Sequence, residues 1–407
     1  MQKIKIMSGK FESIVILSLL LSTILQTYGW EKYDFSFIIT SFLSVLYIFK
    51  YGIRNTMPKF LLYYIFYRIA VHIISANGYA EMIPLGLLKS LLAYLMFFGI
   101  NDYSKFHKYY RIIAIIAIIF FYIQELSYHI LGNRVLGIFS FLPISMSKSI
   151  DLVSILAESS RSSSFFSEPA HLAQFLLPLF CIEVFARRKN IPIVIFLGLT
   201  LLLSFSGNAI WGVAVVGISY IISVMKGRNI ATKLKVAFLV IPAILGLLYI
   251  YVNSEMGQKT MSRSETLSTD YINSRGASHS SYLRIFRGFA VYDNYGTIEK
   301  IIGNDNGNYF YNSARTSEAA LFFKDQNDTY INTFQSFLLY SGIVGVVFFI
   351  LIFGEIWKKS YGGGRVSLLV FYALSVVAAL YLTDTMALYL VVALIAPKGI
   401  EYKQIKK

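Results

Sequence analysis

The apolar stretch NTFQSFLLYSGIVGVVFFILIFG, residues 332–354, decides the fold class of this chain. It contains no charged residue. A helix needs roughly 17–25 apolar residues to cross the hydrocarbon core of a bilayer, and this stretch is long enough. It therefore predicts a transmembrane helix.

Further apolar runs of similar or slightly shorter length occur along the rest of the chain. They lie at about 12–28, 35–50, 59–76, 83–100, 112–131, 169–186, 191–205, 208–225, 236–252, 366–382 and 385–397. The last run is short, so the sequence predicts about twelve transmembrane helices, with eleven as the alternative. The first run lacks the small-residue cleavage site of a signal peptide and is expected to remain as a helix. We expect an all-α polytopic integral membrane protein.

Composition agrees with a membrane protein. Of the 407 residues, 56% are hydrophobic and only 14% are charged, whereas about a quarter of a soluble domain is charged. The chain has one cysteine, Cys181, so it cannot form a disulfide or a Cys-based metal site by itself.

The positions of Lys and Arg predict the orientation in the membrane. With the N-terminus inside, every inside connection is basic, whereas the short outside loops hold only Lys32. Cytoplasmic loops are enriched in Lys and Arg, so both termini are predicted to be cytoplasmic. This placement explains the net charge of +15 and excludes nucleic acid as a partner. The basic clusters lie at 3–10, 50–59, 105–111, 187–189, 226–235, 358–365 and 398–406.

Two predicted outside segments are long, at 132–168 and 254–331. Such long polar segments in a compact membrane protein are usually functional. In the larger one, Tyr282–Tyr292 has apolar residues at helical spacing, so we expect one or two short helices. The predicted organisation is transmembrane helices 1–9 with a smaller outer loop in 1–253, one large extracytoplasmic loop in 254–331, and transmembrane helices 10–12 with a cytoplasmic tail in 332–407.

The densest group of reactive side chains is RSSSFFSEPAHLAQF, residues 161–175. Glu168 precedes Pro169, and a proline disfavours helical geometry for the residue before it. Pro169 itself suits the first position of a helix. His171 then lies in the first turn, and such a helix start attracts anions. The alternative is an ordinary helix start, with Ser167 or Glu168 capping the backbone.

This segment resembles the R-x-x-(G/S)-x-F-x-E-P-(S/A) segment of Wzy-type O-antigen and capsular polysaccharide polymerases, within the O-antigen ligase/polymerase superfamily. LTLLLSFSGNAIWG (199–212) is similar to the Ser-x-Ser-Gly span that follows in that family. IIGNDNGNYFYNS (301–313) resembles its Gly-rich element, and Gly342–Gly345 its Gly-hydrophobic-hydrophobic-Gly turn. These elements cover roughly residues 155–355 in the order of the family.

The resemblance implies a GT-C-like glycosyltransferase architecture in the bacterial cytoplasmic (inner) membrane, with the active site on the periplasmic side. It implies polymerisation of oligosaccharide repeat units, with undecaprenyl-pyrophosphate-linked glycans as both donor and acceptor. Membrane lipid and a chain-length regulator protein are the further partners that it suggests. No cofactor is expected.

Arginine side chains are candidates to hold the pyrophosphate, because the guanidinium fork matches phosphate oxygens. The candidates are Arg161, Arg284 and Arg287, and the last two would share one face of a helix. The alternative for this pair is a solvated basic face.

The attacking sugar hydroxyl needs a proton acceptor within hydrogen-bond reach. The resemblance favours Glu168, whose Glu-Pro pair is central to the motif. His171 is the second candidate and His279 the third. A structural ion pair between Glu168 and Arg161 is the alternative.

Four charged residues fall in or near predicted spans, where charge is costly and usually functional or paired. Asp384 lies at the outer turn before the last span, close to the expected site, and is a further substrate-binding candidate. Lys89 lies in the outer half of its span. Arg68 needs a partner, for which Glu125 is a hypothesis. A purely structural role is the alternative for all four.

Metal and nucleotide chemistry are not expected. Asn304–Gly307 lacks the alternating acidic ligands and final Glu of a calcium loop. The chain has no Asp-x-Asp pair and no Gly-x-x-x-x-Gly-Lys phosphate loop.

Three other functions stay open on sequence alone. A repeat-unit flippase would have a similar number of helices, although inverted repeats are typical of transporters and are not detected here. An O-antigen ligase shares the plan of helices and loop. A membrane scaffold without catalysis is the third, and the arginines of the large loop disfavour it.

Overall fold

The computed structural model of the protein describes residues 7, 9–30, 33–53, 56–76, 83–139, 141–144, 161–225, 280–315 and 331–396. Within these ranges the chain is mostly helical, with one two-stranded hairpin, β1 (Gly29–Trp30) and β2 (Tyr33–Asp34). The helices are α1 (Gly9–Leu25), α2 (Phe35–Tyr51), α3 (Lys59–Ser75), α4 (Leu85–Phe97), α5 (Tyr103–Leu131), α6 (Pro169–Val184), α7 (Ile191–Leu203), α8 (Gly207–Met225), α9 (Ser280–Asp293), α10 (Thr297–Ile302), α11 (Gly307–Arg315), α12 (Thr333–Lys359), α13 (Gly362–Leu374) and α14 (Asp384–Ile395).

Three of the described helices, α5, α8 and α12, are long and apolar enough to cross a membrane. Six shorter helices are also apolar, namely α2, α4, α6, α7, α13 and α14. This pattern agrees with the predicted all-α membrane protein. Every predicted span except that at 236–252, which lies outside the described residues, overlaps a helix.

Two helices differ at one end from the predicted apolar runs. Helix α5 begins at Tyr103, well before residue 112, because the Asp102 side chain accepts the Lys105 N–H at 3.0 Å and caps the helix. Helix α13 ends at Leu374 rather than near 382. The chain turns after it, with Leu382 in a left-handed conformation (φ 51°) and Thr383 capping α14. Hydropathy alone detects neither cap.

The chain divides into two compact units. The first comprises Met1–Val216, Val347–Leu374 and Leu380–Lys407. Helices α6 and α14 are buried along almost their whole length, and α13 packs on both. Helix α5 instead has one buried face and one exposed apolar face. The segment that precedes α6 is therefore attached to the most deeply buried part of this unit.

The second unit comprises Gly217–Val346 and Ser375–Ala379. Its described part contains three short helices, α9, α10 and α11, where one or two were expected. Helix α9 covers the predicted Tyr282–Tyr292. The unit has its own hydrophobic core, formed by Val291, Tyr295, Phe310, Ala314, Ile331 and Leu339.

Gly342 marks a kink in α12, where it adopts non-helical angles (φ 59°, ψ −156°). A Cβ at this position would collide with the carbonyl oxygen of Ile301. Gly303, which ends α10 with φ 83°, lies equally close to the backbone of Ser341. The Asn304 N–H donates to Leu339 O at 3.1 Å. The two glycines therefore permit direct backbone packing of α10 against α12.

We expect Gly342→Ala to lower the free energy of unfolding by about 1–3 kcal/mol, because a side chain is strained at this backbone geometry. Thermal denaturation of the purified protein in detergent measures the effect. Gly354→Ala is the matched control, since Gly354 lies in the same helix with open space around it. The control should be neutral or slightly stabilising. Equal melting temperatures for the two variants would contradict the prediction.

Candidate functional site

The segment from Arg161 to Glu168 is fixed against α5 by a buried serine. Ser164 is fully buried in the left-handed region (φ 58°). Its N–H donates to Gln124 Oε1 at 2.7 Å, and its hydroxyl donates to Ala117 O at 2.7 Å. Gln124 Nε2 donates back to Ser164 O at 3.3 Å. These bonds offset the backbone strain and hold the segment rigid.

Two aromatic side chains anchor the same segment. Phe165 stacks between Phe120, at 4.2 Å between ring centroids, and Phe139, at 5.5 Å. Phe166 is buried against Phe175 of α6. The two phenylalanines of the sequence motif therefore fix the chain immediately before Glu168.

Glu168 lies at the start of α6 with its side chain exposed. Its backbone is extended (φ −146°, ψ 153°), and Pro169 occupies the first turn, both as predicted. The Glu168 side chain caps no backbone N–H of α6. Its carboxylate forms no hydrogen bond or ion pair with the described residues, which do include Arg161.

His171 lies in the first turn of α6, as predicted. Its Nδ1 is 2.7 Å from the hydroxyl of Ser167, which is itself buried. Either the hydroxyl donates to Nδ1, or a protonated Nδ1 donates to the hydroxyl, depending on the tautomer of the ring. The Ser167 hydroxyl therefore orients His171 rather than capping the helix.

Arg161 joins the two sequence motifs that resemble the polymerase family. Its Nη1 donates to Phe205 O at 3.1 Å, in the turn between α7 and α8. Phe205 has a positive φ of 47°, and Ser206 and Asn208 beside it are buried. The Ser206 hydroxyl has no hydrogen-bond partner among the described residues. The residue pattern alone did not predict this contact.

Arg134 is a member of this cluster that the sequence did not single out. Its Nε donates to the Ser162 hydroxyl at 3.1 Å, and its Nη2 is 3.6 Å from Glu125 Oε1. The guanidinium lies 3.8 Å from the ring centroid of Tyr128. Glu125 therefore pairs with Arg134, and the hypothesis that it pairs with Arg68 was wrong. The sequence signal that could have indicated this pair is an acidic residue in the last turns of α5 followed by an arginine just after the end of the helix.

Arg68 is buried in α3 and contacts a tyrosine instead. Its Nε donates to the Tyr381 hydroxyl at 2.6 Å, and that hydroxyl also lies 2.7 Å from the hydroxyl of Tyr64. These contacts hold the turn that precedes α14.

Asp384 belongs to a second polar cluster. Its Oδ1 accepts from Lys89 Nζ at 2.8 Å, and its Oδ2 accepts from the Ser36 hydroxyl at 2.6 Å. Both members of the ion pair are largely buried, with exposures of 13% for Lys89 and 9% for Asp384. The partners of Asp384 thus come from α2 and α4 rather than from the segment around Glu168.

The remaining candidates lie in the second unit. Arg287 is 1% exposed on α9, so it is not part of a solvated face. Arg284 lies one turn earlier on the same helix, as predicted, although its side chain is outside the described residues. His279 lies wholly outside them. Gln335 of α12 fixes α9 by donating to Ile285 O at 2.7 Å.

The first unit thus holds Arg161, Glu168 and His171 in one ordered segment. A comparison with protein-family models finds no match to this chain. A comparison with curated protein sequences finds none either.

Proposed function

We propose that this protein is a glycosyltransferase that polymerises lipid-linked oligosaccharide repeat units on the outer face of the bacterial cytoplasmic membrane. The donor is a polyprenyl-pyrophosphate-linked glycan, and the acceptor is the next lipid-linked repeat unit. The observation that carries the proposal is Glu168, an exposed carboxylate without a protein partner among the described residues, on a rigidly held helix start.

The chemistry needs a base at the acceptor. A hydroxyl of the acceptor sugar loses its proton to the Glu168 carboxylate and forms a C–O bond to the anomeric carbon of the donor. The bond from that carbon to the pyrophosphate breaks, and polyprenyl pyrophosphate leaves with the electron pair. His171, fixed by Ser167, is the second group able to exchange a proton in this step.

The pyrophosphate leaving group carries negative charge, which a cationic side chain must stabilise. Arg161 is half-buried, and its guanidinium is oriented by Phe205 O in the turn before α8. Oriented guanidinium groups of this kind match phosphate oxygens. Arg284 and Arg287, which the sequence predicts as further pyrophosphate ligands, lie one turn apart on α9 of the second unit.

A lipid-linked substrate also requires access from the bilayer. Three of the described helices are long and apolar enough to cross a membrane, and α5 has an exposed apolar face, which is compatible with that access. The order of the sequence motifs that resemble Wzy-type polymerases supports the same activity.

The test is the length distribution of surface glycan in a strain that lacks the gene, with and without a plasmid copy. We expect the deletion to leave a single capped repeat unit on the surface and the plasmid to restore a ladder of longer chains. Complete loss of surface repeats would favour a ligase or a flippase instead. An unchanged ladder in the deletion strain would exclude all three functions.

A further inference from the structure

A basic cavity lies at the other end of α6, away from the segment around Glu168. It has a volume of about 480 Å³ and is lined by Arg111, Arg188, Lys189, Asn190, Ile191 and Pro192. All six residues belong to the first unit. No part of the proposed glycosyl transfer uses them.

Arg111 is held rigidly at this cavity. Its Nε and Nη2 donate to the two carboxylate oxygens of Glu183 at 2.5 and 2.6 Å. Glu183 is fully buried, and its carboxylate also accepts a hydrogen bond from His107 Nε2 at 2.7 Å. The carboxylate therefore balances Arg111 and fixes its guanidinium, and the exposed Arg188 and Lys189 add positive charge to the lining.

The start of α7 adds to the positive character of the cavity. Asn190 caps this helix by accepting the Ile193 N–H at 3.4 Å, and the partial positive charge of the helix start favours an anion. Arg188 is exposed and forms no hydrogen bond or ion pair with the described residues. The lining contains cations and no carboxylate, which is the chemistry of a phosphate site.

Two exposed apolar strips begin at the cavity. Directly after Arg111, α5 exposes isoleucines at helical spacing, and α7 exposes apolar side chains from Ile191 onward. The two helices pack on each other, with the Tyr122 and Phe196 rings 6.4 Å apart. The strips consist of Ile112, Ile115, Ile116, Ile119, Ile191, Ile195, Phe196 and Leu199.

We infer that this cavity binds the headgroup of an anionic phospholipid, whose acyl chains lie along the two strips. The phosphate of the headgroup sits between Arg188 and Lys189, near the fixed guanidinium of Arg111. Basic pockets between membrane helices on the cytoplasmic side commonly select such headgroups. An isolated phosphate ion would satisfy the cations but would leave the apolar strips unexplained.

The experiment is native mass spectrometry of the detergent-purified protein titrated with phosphatidylglycerol. We expect phosphatidylglycerol to bind more tightly than phosphatidylcholine, and the variant Arg188→Gln/Lys189→Gln to bind it roughly thirtyfold more weakly. Arg187→Gln is the matched control, because Arg187 is exposed beside the cavity but does not line it. It should bind as the unmodified protein does.

Three outcomes would overturn the inference. Equal binding of the two lipids would show that the headgroup charge is not recognised. An equal loss of phosphatidylglycerol affinity in Arg187→Gln and in the double variant would show that binding depends only on general surface charge. Displacement of phosphatidylglycerol by millimolar inorganic phosphate would identify a simple anion site without a role for the strips. Melting temperatures of all variants show whether a loss of binding reflects misfolding.

Discussion

Glu168→Gln is expected to abolish chain extension, leaving single repeat units on the cell surface while the protein still accumulates in the membrane. The amide keeps the size of the side chain but cannot accept the proton of the sugar hydroxyl. Removing a general base slows a reaction by about 10²–10⁴-fold. The folded state should be unaffected, because the carboxylate is exposed and bonds to no described residue.

Surface glycan ladders in the complemented deletion strain measure this effect, with immunoblots for the amount of protein. Asp293→Asn is the matched control, since Asp293 is an exposed carboxylate at the end of α9 and should tolerate the same change. Glu168→Asp moves the carboxylate back by one methylene and should retain partial activity. A normal ladder from Glu168→Gln at normal protein level would remove Glu168 from the catalytic role.

Variants of His171 distinguish between the two candidates for the general base, Glu168 and His171. If the imidazole accepted the proton, Glu168→Gln would shorten chains only modestly, whereas His171→Ala would abolish extension. Our expectation is the reverse order of severity, because the Glu168 carboxylate is exposed and bonds to no described residue. The comparison of the two variants therefore tests the assignment of roles as well as the site.

Much of the helical pattern was predictable from the sequence because lipid requires long apolar segments. Helices α6, α7 and α8 begin and end within a few residues of the predicted runs. Helix α5 extends beyond the predicted run because its first turns are rich in Tyr and Lys, and Asp102 rather than hydropathy determines where the helix begins. The pattern of apolar residues marks which segments are helices but does not fix their ends.

The candidate site was predictable only in part. The Glu-Pro pair correctly indicated a non-helical residue before a helix, since proline restricts its neighbour locally. The Arg161 contact with Phe205 and the Arg134 contact with Ser162 join residues far apart in sequence, so no local rule predicts them. The wrong pairing of Arg68 with Glu125 has the same origin, because charge alone does not say which helices are neighbours.

A second large effect is expected at the buried pair of Lys89 and Asp384. Lys89→Met removes the cation and leaves the Asp384 carboxylate buried with the Ser36 hydroxyl as its remaining partner. An uncompensated buried charge costs about 3–5 kcal/mol. We expect a correspondingly lower free energy of unfolding, measured by thermal denaturation in detergent. Lys359→Met is the control, because Lys359 is exposed and its buried partner Glu355 keeps hydrogen bonds from the backbone N–H groups of Lys59 and Phe60, so we expect a loss of at most about 1 kcal/mol.

The double variant Lys89→Met/Asp384→Asn distinguishes a structural role of Asp384 from substrate binding. The second change removes the stranded charge and keeps a side chain that can bond to Ser36, so most of the lost stability should return. Because both partners of Asp384 are protein groups, we expect this variant to extend chains normally once it folds. A stable double variant that produces only single repeat units would show instead that Asp384 contacts the substrate and that Lys89 positions it.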